Sequence, residues 1–185
     1  MSDVFADLRH DHERIDKLLD ELRGDPAGPE PSPHERKKIA EELVVAESRH
    51  EALEEAYFWP VVRDRAPQGG ALALRAIEQE QTGKKLLNEL EKTSPGTVEF
   101  GTLVFQVISN IRQHVTYEEL QVWPRLRLRL TDAEGDELGS EISGARPLAP
   151  TRPHPLTPPD ATVLRTVGPA VGLLDRVRDV LTARG

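Results

Sequence analysis

The chain reads as an all-α protein, an antiparallel up-down-up-down four-helix bundle followed by a Pro-rich C-terminal arm and a short terminal helix. Three observations predict it: four long stretches of helical apolar periodicity, short Gly/Pro breaks between them, and an internal repeat relating the second stretch to the fourth. The stretches cover about 2–23, 33–66, 70–93 and 97–131, each long enough for a bundle helix. The breaks DPAGPEP, PQGG and TSPG are short, which makes consecutive helices antiparallel neighbours.

Each helix carries an apolar stripe that titratable residues interrupt. In helix one the stripe is Phe5, Leu8, His12, Ile15, Leu19 and Leu22; in helix two it is Ile39, Leu43, Ala46, His50, Glu54, Tyr57 and Val61. Helix three reads Ala73, Ala76, Ile77, Glu80, Leu87 and Leu90, and helix four Phe100, Val104, Val107, Ile111, His114, Glu118 and Val122. A buried carboxylate or imidazole is costly without a partner, and one bound cation cluster would satisfy all of these groups together.

Beyond Asp132 the pattern weakens. Residues 144–169 carry Pro147, Pro150, Pro153, Pro155, Pro158, Pro159 and Pro169, which predicts an extended linker. The last segment, Ala170 to Arg184, spaces Val171, Leu174, Val177, Val180 and Leu181 as an amphipathic helix that docks on the bundle or on a second subunit. The predicted division is therefore a bundle over 1–132, an arm over 133–169 and a terminal helix over 170–185.

Composition narrows the chemistry. The 185 residues include no cysteine, which excludes disulfides, zinc–thiolate sites, iron–sulfur clusters and thiol catalysis, so any metal is held by nitrogen and oxygen. The absence of cysteine fits a reducing cytosol. The opening MSDVFADLRHDHER is charged from its start, and no stretch approaches the ~18 apolar residues of a membrane span, so a soluble cytoplasmic protein is expected, with no membrane partner. A net charge of −8 and the lack of a basic patch argue against a nucleic-acid partner.

The repeat concentrates the signal. His50, Glu54, Glu55, Trp59 and Pro60 recur as His114, Glu118, Glu119, Trp123 and Pro124 at identical offsets. More faintly, Leu18-Leu19-Asp20-Glu21-Leu22 aligns with Leu86-Leu87-Asn88-Glu89-Leu90, and the same offset carries His12 onto Glu80. Residues four apart on a helix lie ~6 Å apart at Cβ on one face, so each His-x-x-x-Glu can aim both side chains at one centre. A lone stripe histidine is more often a satisfied core group, and a lone glutamate a surface one; two copies plus His12 favour a metal. Glu55 and Glu119 are assigned to backing the ligands or to the surface. His10, His34 and His154 lie off the stripe or in loops, and the two Trp-Pro pairs are read as packing and kink elements closing the far end of the bundle.

This arrangement resembles the hemerythrin-like (His-His-Glu cation-binding) domain family, especially its actinobacterial (mycobacterial-type) members, over roughly residues 1–130. The resemblance implies a bundle holding two non-haem irons joined by an oxo or hydroxo bridge. Glu54 and Glu118 would be the bridging carboxylates, and His12, His50 and His114 the terminal ligands. The family expects an inward histidine on helix three, and this chain has none between His50 and His114. Glu80 is the expected substitute, with Gln81 and Glu78 as weaker candidates; the alternative is that the site has lost a ligand. Tyr57, one turn beyond Glu54, is either a core phenol or a phenolate ligand, and Tyr117 is a weaker candidate. The choice of iron comes from the resemblance, since nitrogen and oxygen donors accept several divalent ions.

Anionic donors from Glu54, Glu80, Glu118 and Tyr57 would stabilise ferric iron, a bias toward turnover of peroxide rather than carriage of oxygen. The first functional expectation is therefore catalase- or peroxidase-like handling of hydrogen peroxide in oxidative stress, with the irons trading two electrons with peroxide and Glu55 or Tyr57 moving protons. The second is a binding module without turnover, a sensor of oxygen, nitric oxide or iron or a small iron store, with the C-terminal segment signalling to a protein partner. A ferritin-like di-iron carboxylate site uses Glu-x-x-His on two helices. It is matched once, by Glu47-Ser48-Arg49-His50, and fails at Ile111. A single zinc, or no metal, is the remaining reading.

Overall fold

The computed structural model describes residues 3–25, 28–156 and 161–181 and contains helices and no strand among them. The first helix, α1 (Val4–Arg23), stops where Gly24 takes φ 81° and gives its N–H to the Asp20 and Glu21 carbonyls. Helix α2 (Pro33–Leu53) starts at a Ser32/Glu35 capping box with Pro33 in its first turn, where the missing N–H costs nothing. It runs through a π-turn, Glu54–Phe58, into α3 (Trp59–Arg65). Helix α4 is Gly69–Lys92; α5 (Val98–Tyr117), capped by Thr97, passes through a second π-turn, Glu118–Val122, into α6 (Trp123–Arg127).

The two π-turns follow from the repeated Trp-Pro. Pro60 and Pro124 have no N–H to complete the ladder, and the chain widens by one residue, so that the N–H of Trp59 bonds the carbonyl of Glu54 and that of Trp123 the carbonyl of Glu118. The extra residue rotates everything after Glu54. Phe58 and Val62 become fully buried where the uninterrupted stripe predicts Tyr57 and Val61, both of which are only partly buried.

Helices α1, α2, α4 and α5 pack in a closed ring, α1 on α2, α2 on α4, α4 on α5 and α5 on α1, which is the predicted bundle. Its interior is two apolar cores. One is built around Phe5, Leu8, Phe58, Trp59, Val62, Ala73, Val122 and Trp123, the other around Ile15, Leu19, Leu43, Leu87, Phe100 and Ile111. Between Leu8 and Ile15, Val44 and Leu53, Ile77 and Leu87, and Ile111 and Tyr117, the buried positions are mainly polar: His12, Glu47, His50, Glu51, Glu80, Lys84 and His114. Glu54 and Glu118 join this belt from the π-turns.

The C-terminal part differs from expectation. Residues 132–145 form α7 (Asp132–Ala145), started by a Thr131/Glu134 capping box, and Leu138 and Ile142 are buried where it packs on α1. A single 3₁₀ turn, Arg146–Leu148, follows. Helix α8 spans Ala161–Leu181, beginning nine residues before Ala170 and containing Pro169. Pro169 and Arg165, whose carbonyl it deprives of a donor, are both exposed, so water can serve that carbonyl. The face of α8 turned to the protein is also not the apolar one. Asp175 and Asp179 are 4% and 9% exposed, whereas Leu174, Val177 and Val180 are 69%, 52% and 80% exposed. Residues 182–185 and Pro158 and Pro159 lie outside the described residues.

Candidate metal centre

Two groups of possible ligand atoms lie in the polar belt, each with all its atoms within 4.8 Å of one another: His12, His50, Glu54 and Glu118 in one, Glu54, Glu80 and His114 in the other. Glu54 is common to both. In the first group His12 Nε2 is 3.0 Å from Glu118 Oε2, and His50 Nε2 is 3.2 Å from His12 Nε2 and 3.3 Å from Glu54 Oε2. In the second, His114 Nε2 stands 3.8 Å from Glu54 Oε2, from Glu80 Oε1 and from Glu118 Oε2. Six of the seven ligand candidates expected from the stripes therefore meet, with Glu54 and Glu118 both reaching toward histidines of either group.

The donors fit a cation. Both Glu54 carboxylate oxygens, Glu80 Oε2, Glu118 Oε1 and His114 Nε2 are buried and have no hydrogen-bond partner. Leaving so many polar atoms unsatisfied is expensive, and a hard or borderline cation bound by nitrogen and oxygen is the partner that relieves all of them.

A hydrogen-bonding oxygen stands behind His12 and His114, and a carboxylate lies just out of hydrogen-bond reach behind His50. His12 Nδ1 lies 2.9 Å from Glu119 Oε1, His114 Nδ1 3.4 Å from Gln79 Oε1, and His50 Nδ1 faces Asp11 Oδ2 at 3.7 Å. Each ring thus turns Nε2 to the centre of the bundle, and a cation bound there would leave the proton on Nδ1, facing these oxygens. Trp123 stacks on His12 with ring centroids 5.2 Å apart and planes 11° from parallel. Trp59 donates its indole N–H to Glu80 Oε1. The tryptophans expected to be packing elements are packed, and in addition they touch candidate ligands.

Electrostatics prepare the groups unevenly. Burial pushes the Glu54 carboxyl well above the usual range, and the charges of Glu118 and Glu80 push it further. Burial raises Glu80 likewise, with Glu55 adding to it and Lys84 opposing. Burial would also raise Glu118, but His114, His12 and His50 outweigh it and hold that carboxyl at about 2. His114 is pushed down to about 4 by burial, against the pull of Glu118 and with help from His50 and His12. At neutral pH it is an unprotonated imidazole ready to bind. For His12, burial is overcome by Glu118 and Glu119, and its pKa rises.

Tyr57 is not in this centre. The π-turn carries it to the outside of α2, where the Arg165 guanidinium of α8 sits 4.5 Å above its ring. Tyr117 is buried but turns its hydroxyl to the Leu72 carbonyl at 3.3 Å, and Glu78 is exposed. Gln81 donates to Glu55 rather than pointing at the centre. His10 and His34 are exposed, and His154 pairs with Asp175 at 2.9 Å.

Sequence reasoning did not find Lys84, Glu51, Asp11 or Gln79, and it met Glu47 only in the ferritin-like Glu-x-x-His match. Lys84 makes a 2.7 Å ion pair with Glu55 in which the two side chains are 7% and 2% exposed, and Glu47 and Glu51 are each 1% exposed. A signal exists for Lys84, Glu47 and Glu51: Lys84 lies four residues after Glu80 on the buried stripe, and Glu47 and Glu51 continue the four-residue step from Leu43. Asp11 and Gln79 merely precede ligands in the chain, and no periodicity marks them.

A four-helix bundle with a buried His/Glu cluster shared among all four helices defines a cation-binding bundle of the hemerythrin kind. The family model of the hemerythrin HHE cation binding domain matches residues 3–143, and the chain belongs to that family. Among solved structures it is similar to a hemerythrin HHE cation binding domain-containing protein from Mycobacterium kansasii, with a TM-score of 0.64 and 20% identity over 79% of this chain and 86% of the other. Among curated proteins it is similar to a DNA nickase of Nostoc sp., 24% identical over 142 residues. That stretch is 75% of this chain but spans only 38% of the relative's length. No described helix is long and apolar enough to cross a membrane.

Proposed function

We propose that the chain holds two non-haem irons, one at His12, His50, Glu54 and Glu118 and one at His114, Glu80, Glu54 and Glu118, and uses them to turn over hydrogen peroxide. The observation that carries this reading is the pair of ligand groups sharing Glu54. Held by these residues, a metal pair would supply the two-electron redox chemistry that reduction and oxidation of peroxide require.

The protein's own residues supply the rest. Three inner carboxylates against three imidazoles favour the oxidised metals, although less than they would with a phenolate, since Tyr57 is turned away. Glu119, which accepts from His12 and from Arg9, is one quarter exposed and connects the centre to solvent for proton exchange. Trp59, Trp123 and Phe58 close the adjoining core against bulk water.

A second reading, binding or sensing of oxygen, nitric oxide or iron without turnover, is favoured by one observation. Helix α8 leaves Leu173, Leu174, Val177 and Val180 exposed, a surface suited to a protein partner or a second copy of the chain. The acidic excess disfavours DNA as a partner, whatever the Nostoc relative does. The deciding experiment measures iron per chain and sustained oxygen release from peroxide by protein purified without chelators. Two irons with many turnovers support peroxide handling; two irons with one stoichiometric reaction support the sensor; one iron or none refutes the two-metal centre.

A further inference from the structure

Residues 146–181 lie beyond the part of the chain that the family model matches, yet two arginines among them reach the frame of the metal centre. Arg146 Nη1 binds Asp11 Oδ1 at 2.7 Å. The other oxygen, Asp11 Oδ2, faces His50 Nδ1 at 3.7 Å, and both of these atoms are buried without a hydrogen-bond partner. When His50 Nε2 binds a cation, Nδ1 must carry the proton, and the carboxylate it meets is the one that Arg146 holds. His12 and His114 find their acceptors, Glu119 and Gln79, within the family domain. Among the described residues, the arm enters the setting of His50 and not that of the other two histidines.

The second arginine acts on the π-turn. Pro60 cannot donate to the Ala56 carbonyl, and Arg165 Nε does so instead at 2.7 Å, while its guanidinium covers Tyr57. Glu54, the carboxylate shared by both ligand groups, opens that turn. The arm is itself braced. Thr151 donates its N–H to Asp175 and its hydroxyl to Asp179, Arg152 ties Asp179 to Glu91 of α4, and a Cβ at Gly172 would meet the Leu148 carbonyl at 2.2 Å.

We propose that the C-terminal arm is a positioning device for the metal centre, with Arg146 acting through Asp11 on His50, and Arg165 acting through the Ala56 carbonyl on the turn that presents Glu54. The proposal rests on the two-metal reading above. It predicts site-selective effects, because His50 belongs to one ligand group and Glu54 to both.

The test is titration of the metal-free full-length protein with Co(II), following equilibrium dialysis and the visible Co(II) absorption of each ion, with thermal melts confirming that every variant is folded. Wild type should bind two ions. Arg146→Ala should weaken one of them roughly ten- to a hundredfold, the usual effect of losing a group behind a ligand, and leave the other unchanged. Asp11→Asn should reproduce this and Arg146→Lys should restore most of it, whereas Arg165→Ala should weaken both ions. Folded Arg146→Ala or Arg165→Ala protein binding two ions as wild type does, or Arg146→Ala weakening both equally, overturns the proposal alone. Wild type that fails to take two ions overturns the two-metal reading, and this proposal with it.

Discussion

Replacing Lys84 with methionine should destabilise the protein far more than loss of one surface charge would. The ammonium is 2.7 Å from Glu55 and also offsets the charges of Glu51 and Glu80, all in a layer where these side chains are almost wholly buried. At 2.7 Å the pair attraction is about 6 kcal/mol for an effective dielectric of about 20, most of it offset in the folded protein by the desolvation of both ions. Removing one partner leaves that desolvation uncompensated, a loss of about 3–5 kcal/mol. For a chain of this size, this lowers the melting temperature by roughly 6–20 °C.

The sign with pH is definite. The charges of Glu51, Glu55 and Glu80 outweigh burial and raise the Lys84 pKa, so its contribution is complete below the ordinary lysine value and is lost only as pH rises through the raised one. Thermal unfolding of metal-free protein at neutral pH measures the loss. Lys84→Met/Glu55→Gln, which removes both ions, should be more stable than Lys84→Met alone. Metal loading should rescue Lys84→Met more than it stabilises wild type, since a cation at Glu80 replaces the missing counter-charge. A Lys84→Met loss below about 1 kcal/mol, or single-mutant losses that simply add, would refute the view that the pair is a compensated buried charge.

Other outcomes follow from the same geometry. Because Glu54 and Glu80 have raised pKa values, the metal-free fold binds protons that the unfolded chain has released; this stabilises it in mild acid and is lost as pH rises through those values. The gain in melting temperature on adding metal should therefore grow as pH rises above the ordinary carboxylate range, with protons released on binding; a gain that shrinks would contradict it. Glu80→Ala should leave one metal per chain and Glu80→His two, read by metal analysis. Tyr57→Phe should leave the visible spectrum of the iron-loaded protein unchanged, since the ring faces Arg165; a lost phenolate band would return Tyr57 to the metal. In Gly69→Ala the new Cβ would sit 2.0 Å from the Val62 carbonyl oxygen, so α3 and α4 must separate. Denaturant unfolding should show a loss of about 1–3 kcal/mol or more.

The helical class, the four-part bundle and the six inward ligand candidates were legible in the sequence because they are local regularities. Apolar residues at helical spacing mark a buried face, and a histidine or glutamate on that face stands out wherever it occurs. The repeat from His50 to Pro60 and from His114 to Pro124 showed that two helices share one design. Tyr57 was misplaced because the stripe assumes 3.6 residues per turn throughout. The π-turn after Glu54, caused by the same Pro60 that is visible in the repeat, adds a residue and rotates Phe58 into the place foreseen for Tyr57.

Only the tertiary structure decided what stands behind the ligands. Glu119 and His12 are 107 residues apart in the chain, His114 and Gln79 35, and Arg146 and Asp11 135; no local pattern encodes such pairings. The same holds for α8. Its amphipathic spacing is plain in the sequence, but helix periodicity says only that a face is apolar. Hydrogen bonds from Thr151, the pairing of Arg152 with Asp179 and of His154 with Asp175, and the close approach of Gly172 to Leu148 turn its polar face inward and leave the apolar one in solvent.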